Sequence, residues 1–573
     1  MKNLLKLWPL ALLPVLLLSC RNKGVSPSPE AIAQLNLKRG AVISCGSPNA
    51  QFGTLEFDMS CDPAIKKDFN LAVELLHSFE YDEAEKVFAK IIDASPACAM
   101  AYWGVAMCNF HPLWTPPTEA ELQKGAAAIA IANSIQTKSA REAGYIHAIT
   151  LFYKDWNKKD HHTRCVEFEK AMEQLHTAYP GDQEAAIFYA LALDAAASPA
   201  DKTYANQKKA GDILQALYPR EPEHPGIIHY IIHTYDYPEL AQLALPAARK
   251  YAQVAPSSAH ALHMPSHIFT RLGLWDDDIH SNLQSVSAAQ CYAQQAGIRG
   301  HWDEELHGLD YLVYAYLQKG DNQLAGEKMQ YLHSIKQVSP VNIKVAYAFA
   351  AIPSRYVLEN KDWKGAAALQ LPQVNFSWDQ FPWQEAIVHF TRLLGAVHTS
   401  DLNEARIELA RLMELKDVLD KQKDGFKANE VAVQIKAGEA WIQFAQGNTT
   451  AALDVMKLAA DKEDSTEKHP VTPGKVVPAR ELLADMLLQA KQYQPALDAY
   501  EAVLVKNPNR FNSLYNAGVA AGKLGDTQKA VSCFRQLLAI TDTAVGGRPE
   551  IAVAQAYVKS HPLRLVSAKK PTL

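Results

Sequence analysis

The chain has 573 residues, 48% of them hydrophobic and 21% charged, too long for one compact core and ordinary for several packed units or a solenoid. Its 57 basic and 62 acidic residues leave a formal net charge of −5 with no long run of either sign, which argues against nucleic acid or an anionic surface as a bulk partner. Long alternating Val/Ile/Thr runs are missing and helical periodicity dominates, so the chain reads as nearly all α.

At the N-terminus, Lys2 and Lys6 precede an apolar run over 7–18 that ends in Ser19-Cys20. The run is short and interrupted by Pro, so it reads as a secretory signal and not a membrane span. Leu17-Leu18-Ser19-Cys20 resembles a bacterial lipobox. The resemblance implies that Cys20 becomes the lipidated first residue of an envelope protein, with 21–29 as its tether. Arg21 after Cys20, with no aspartate there, implies by the same likeness the outer membrane of a Gram-negative bacterium. Export lets disulfides persist. Cys45 and Cys61 bracket a non-helical stretch containing Gly, Ser and Asn and are expected to pair. Cys98, Cys108, Cys165, Cys291 and Cys533 stand singly in helical or helix-flanking sequence, as buried thiols do.

From Pro63 a repeat sets in. Ala72 and Ala84 are small where two helices must approach, Phe88 fills the gap and Pro96 closes the unit. The frame returns near the C-terminus, where Ala496 and Tyr500, in a unit closed by Pro508, are answered one period later by Ala530 and Phe534, with Gly518 at the close-packing place of the last unit's first helix. Between them it recurs as a turn and a small residue: Gly320-Asp321 before Ala325, Ser400-Asp401 before Ala405, Gly447-Asn448 before Ala452. These stretches resemble tetratricopeptide repeats. The resemblance implies an all-α helix-turn-helix solenoid behind a non-helical N-terminal segment. The expected divisions are a signal peptide over 1–20, a tether and loop segment over 21–62 and a repeat block over 63–370. Further repeats follow over 371–470, a C-terminal pair over 471–545 and a tail over 546–573. Two breaks stand out. One is the Pro/Gly loop 469–474; the other is the aromatic-rich excursion 371–383, which either closes over a groove or plugs a seam between blocks.

The chain's most informative stretch is 224–273. His229 and His233 form one HxxxH pair, and His263 and His267 form a second, each 34 positions after its counterpart. A four-residue step puts both rings of a pair on one helix face, so four imidazoles are expected to converge. The repeat likeness starts units at Pro225 and Ala259. It implies that the second, fifth and ninth places of each first helix face the groove. These are Gly226, His229 and His233, then His260, His263 and His267, then His307, Asp310 and Tyr314. His301 and Glu304 lie just before the third helix, within expected reach of the cavity, and Arg271 follows the second pair.

The wording HPGIIHYIIH and HMPSHIFTRLG, with AMAYWGVAM and HPLW upstream, is similar to a group of histidine-rich bacterial repeat proteins over about 45–320. That group has no established activity. The chain departs from it in reading HWDEELHG over 301–308, which leaves the parts of His301 and His307 open. Trp103 and His111, in the upstream stretches, are further pocket candidates. The histidines fit three roles. They are hydrogen-bonded wall residues, or ligands for Zn, Cu, Fe or Ni with Asp310 or Glu304 as an oxygen donor, or the lining of a groove for a peptide or small anion. There is no HExxH, GxxxxGK[ST], GxGxxG, GxSxG or CxxC. The reading is a lipid-anchored scaffold that binds a protein, peptide or small ligand through a histidine-lined groove. The alternative is a metal-dependent hydrolase or oxidoreductase using the same cluster.

Overall fold

A computed structural model describes residues 26–562 apart from 48, 199, 545 and 546. The signal segment and Cys20 lie outside the described residues.

Helix follows helix from Lys66 to Ser560, each packed on the next in the chain. The described residues contain no strand, only an isolated bridge between His301 and Val338. None of the described helices is long and apolar enough to cross a membrane. The architecture is the tetratricopeptide-like solenoid of helical hairpins. Its local determinants are visible in the chain. Capping boxes start two helices, Thr118 with Glu121 and Ser139 with Glu142. Gly320 and Gly525 stop two others in the left-handed conformation that glycine adopts at least cost. Ala72 and Ala84 are fully buried. A Cβ on Gly518 would stand 2.7 Å from the Phe534 ring, so only glycine admits that close approach.

The largest apolar cluster gathers side chains from Leu35 to Phe269, and another runs from Tyr347 to Ala554. The C-terminal repeats turn back onto the middle of the chain. Trp275 Nε1–H donates to the Asn509 carbonyl at 2.9 Å, the Phe511 amide donates to Gln318 Oε1 at 3.1 Å, and fully buried Arg510 is held between Glu359 and Glu481. The 371–383 excursion plugs the seam, with Phe376 against Phe349 and Trp383 against Tyr347. The 465–471 loop instead reaches across to the N-terminal block, where Glu467 pairs with Lys202 and Lys468 with Asp236.

The N-terminal segment corrects the expected disulfide. Expected to be non-helical, it forms a short helix over Pro29–Gln34 and then runs irregularly across the starts of several helices, tied by the Ile43 amide to Glu83, by Gln51 to Ser257 and by Ser60 to Glu142. The Cys45 amide is bonded to the Ser257 carbonyl, whereas Ser60, beside Cys61, is bonded to Glu142, and each cysteine meets a different partner. Cys45 is bonded to Cys291 and Cys61 to Cys98, at Cα separations of 5.9 and 5.4 Å. Cys108, Cys165 and Cys533 are buried free thiols. Alkylation of the oxidised, unfolded protein is therefore expected to modify these three and spare the other four. Losing either bridge should cost about 2–4 kcal/mol in denaturant unfolding. Labelling of Cys45 and Cys98 under oxidising conditions would contradict the pairing.

Candidate functional site

Helices begin at Pro225 and Ala259, the expected unit starts. Pro225–Thr234 carries His229 and His233. The second helix is broken by Pro265 into Ala259–His263 and Pro265–Leu272, and the third runs over Asp303–Lys319. The four imidazoles of the two HxxxH pairs do not share one point. They split into two trios, His229 with His233 and His260, and His263 with His267 and His307, with the potential ligand atoms of each trio within 4.8 Å of one another. The rings that converge on each point come from two neighbouring helices, a reach that facing helices about 8–10 Å apart allow. Each pair is instead completed by a ring from the next helix.

The outward nitrogens of these rings are committed. His229 Nδ1 lies 2.6 Å from the His77 carbonyl oxygen, which can only accept, so the proton is on Nδ1 and Nε2 is bare. His263 Nδ1 lies 2.7 Å from Asn282 Oδ1. The Asn282 amide nitrogen is turned to the Asp278 carbonyl at 2.9 Å, so its oxygen faces the ring and His263 Nε2 is bare as well. His267 Nδ1 lies 3.1 Å from Asp236 Oδ2. Burial alone would raise the Asp236 carboxyl, but Lys468, Arg271 and His267 hold it well below the usual range. It accepts, so His267 Nε2 is the third nitrogen without a proton of its own, with the Tyr311 hydroxyl 3.4 Å away. His263 Nε2 and His267 Nε2 nevertheless face each other at 3.1 Å, two lone pairs with no proton between them. Burial pushes both rings below the ordinary histidine range, which disfavours an added proton. His229 Nε2 and His233 Nε2 meet at 3.0 Å, and buried His260 Nε2 has no hydrogen-bond partner among the described residues.

A third cluster, His77, Glu184 and His224, makes the contrast. Glu184 accepts from His77 Nε2 at 2.9 Å and from His224 Nε2 at 3.0 Å. His77 Nδ1 meets the Tyr230 hydroxyl, and His224 Nδ1 accepts the Ile227 amide at the start of its helix. Every nitrogen has its partner, so this cluster is a closed network that positions the His77 carbonyl under His229.

His233, His260, His267 and His307 line a cavity of about 620 Å³, with His229 and His263 behind them. Trp114 stacks on His233 at 5.0 Å and Phe79 faces the same ring. Glu304 and Arg271 also line the cavity. Glu304 pairs with Lys344 and brings Oε2 within 3.8 Å of His260 Nδ1, and Arg271 grips Asp236. The far wall is the 465–471 loop and Phe426.

Other expected residues lie elsewhere. Asp310 is paired to buried Arg355, and Tyr314 packs on Trp275 and beneath the same guanidinium. One residue along a helix is a turn of about 100°. The face of Asp303–Lys319 toward the histidines is therefore Glu304, His307 and Tyr311, with Glu304 and His307 at the cavity and Tyr311 against the His263 and His267 rings, while Asp310 and Tyr314 face Arg355 and Trp275. His301 pairs with Glu305 at 2.9 Å and abuts Tyr331, outside the cavity. Trp103 is core, against Phe57, Tyr145 and Phe188. His111 pairs with Glu121 and touches Tyr81. Sequence reasoning missed Asp236, Asn282, Lys344, Lys468 and the His77–Glu184 pair. Asp236 alone carried a signal, three positions after His233 and so on the same side of the chain's next turn. The others are joined to the site by contacts distant in sequence.

A tetratricopeptide repeat family model matches residues 511–543. No curated protein matches the chain. Among solved structures, a complex described as Naa15/Naa10 bound to HypK-THB is similar over 87% of this chain and 97% of that one. Its identity is 12% and its TM-score 0.24, a likeness that carries no argument about partners.

Proposed function

We propose that this protein binds two transition-metal ions, one in each histidine trio, and presents them to a small molecule in the cavity between the repeats and the 465–471 loop. The repeat match and the helical solenoid suggest a protein-binding scaffold. The cavity that the histidines line, however, is bounded by the 465–471 loop and has the volume usual for a small ligand. The observation that carries the metal reading is the pair of bare Nε2 atoms of His263 and His267, 3.1 Å apart. Nitrogens each ~2.0–2.1 Å from one ion stand about 3 Å apart, so a cation removes the lone-pair conflict. Acceptors on Nδ1 of His229, His263 and His267 are the outer partners that metal-binding histidines need. Three neutral ligands leave a coordination position for substrate or water, the arrangement of catalytic and not purely structural zinc sites. Imidazole-only ligation suits Zn, Cu, Fe or Ni. Metal analysis of untagged protein tests this reading.

The same proposal places the domain in the cell envelope, anchored through Cys20 at the lipobox-like 17–20. Cys20→Ala should leave the precursor uncleaved or release an unlipidated form. Equal partitioning of variant and wild type into a detergent phase would remove the anchor from the proposal.

A further inference from the structure

We infer that the cavity's ligand is an organic anion with an apolar, preferably aromatic, body and an oxyanion head such as a carboxylate. This rests on the two-metal reading and specifies what those ions face. Without metal the lining is close to electrically balanced. It holds five cations, Lys202, Arg271, Lys344, Lys427 and Lys468, and six acids. Almost every charge in it is engaged. Arg271 and Lys468 share Asp236, Lys344 holds Glu304, Lys202 pairs with Glu467 and Lys427 with Asp424. Asp201 accepts the backbone amides of Thr203 and Ala205. Asp194 has no cation partner among the described residues, and burial beside Asp236 pushes it up to about 7. It is therefore able to donate as a neutral acid.

Two divalent ions held by six neutral imidazoles add about four positive charges that the trios do not offset. The nearest carboxylates, Asp236 and Glu304, are already bound to Lys468, Arg271 and Lys344. In a cleft walled by protein, which focuses the field of its charges, that excess selects an anion from solution. The apolar part of the lining decides the rest of the ligand. Leu113, Trp114, Tyr237, Phe426, Pro470 and Val471 present apolar and aromatic surface toward the same space. A bare inorganic anion would satisfy the ions and leave that wall in contact with water. A carboxylate on an aromatic body satisfies both.

The test uses the full chain, stripped and then reloaded with Co²⁺, whose content is counted before any ligand is added. The probes are benzoate, acetate and benzyl alcohol, read by the visible Co²⁺ spectrum and by thermal shift. Benzoate is expected to perturb the spectrum and raise Tm of the loaded protein, at least tenfold tighter than either acetate or benzyl alcohol, and to leave stripped protein unmoved. Phe426→Ala should narrow the benzoate-to-acetate gap. Loaded protein that ignores benzoate, or binds benzyl alcohol equally well, overturns the inference while the metal sites stand. A gap untouched by Phe426→Ala overturns the role of the apolar wall. A chain that takes up no Co²⁺ overturns the metal reading and this inference together.

Discussion

Untagged protein is expected to hold about two transition-metal ions per chain, and paired substitutions should remove them one at a time. His263→Ala with His267→Ala abolishes the ion that these rings share with His307, leaving the other; His229→Ala with His233→Ala does the reverse. Removing direct ligands should weaken a site by well over 100-fold, because losing only an outer partner already costs about 10–100-fold. Asp236→Asn, which disturbs the acceptor on His267 Nδ1, should fall in that lower range and act on one site only. His224→Ala should lower stability by roughly 1–3 kcal/mol through a buried hydrogen bond lost from Glu184, with both ions retained. Circular dichroism of each variant separates loss of metal from loss of fold. Stoichiometry that survives both double substitutions would sink the assignment.

Affinity at the His263–His267–His307 site is expected to fall between pH 7 and pH 5.5 by far less than three ordinary imidazoles would allow. Metal needs a neutral ring. Three rings of ordinary pKa ~6.5 would each be disfavoured about tenfold at pH 5.5, a loss of about 1000-fold. Here burial holds the folded-state pKa of all three below the ordinary value, well below for His263 and His307. The neutral form therefore persists below 6.5, and proton competition starts only at the depressed folded pKa. The same sign makes these rings a destabilising influence in acid: between the folded and unfolded pKa the unfolded chain binds more protons, so their contribution to stability falls with pH. Global acid unfolding is a poor readout of this. Burial pushes Glu80 up to about 8 and Glu74 up to about 7. Those raised carboxyls act oppositely, favouring the folded state as pH drops from their folded pKa toward the unfolded one. Competition titration with a chelator at fixed pH reads the site directly. A fall near 1000-fold by pH 5.5 would mean that the rings titrate as if solvated.

The helical repeats and the paired histidines were legible in the sequence because both are local periodicities. Small residues at Ala72, Ala84 and Gly518 mark where hairpin partners touch, and a four-residue step holds His229 and His233, or His263 and His267, on one helix face. The spacing of 34 placed the two pairs in adjacent units, with helices starting where expected at Pro225 and Ala259. Only the tertiary structure decided how the pairs divide. That depends on the rotation of the Asp303–Lys319 helix, set by its packing against its neighbours, which keeps the expected His307 at the cavity with Glu304 and turns Asp310 to Arg355 and Tyr314 to Trp275. It also decided the disulfides, because nothing local tells a segment tied to distant helices from a hairpin loop, and Cys45 and Cys61 find partners 246 and 37 positions away. The proton inventory of the site was likewise out of reach of sequence. The acceptors that leave the inner nitrogens bare, the His77 carbonyl, Asn282 and Asp236, come from three different elements, and Lys468 arrives on a loop from the far end of the chain. Periodicity records which residues share a helix face; it holds no information about which distant carbonyl or carboxylate will meet that face once the solenoid closes.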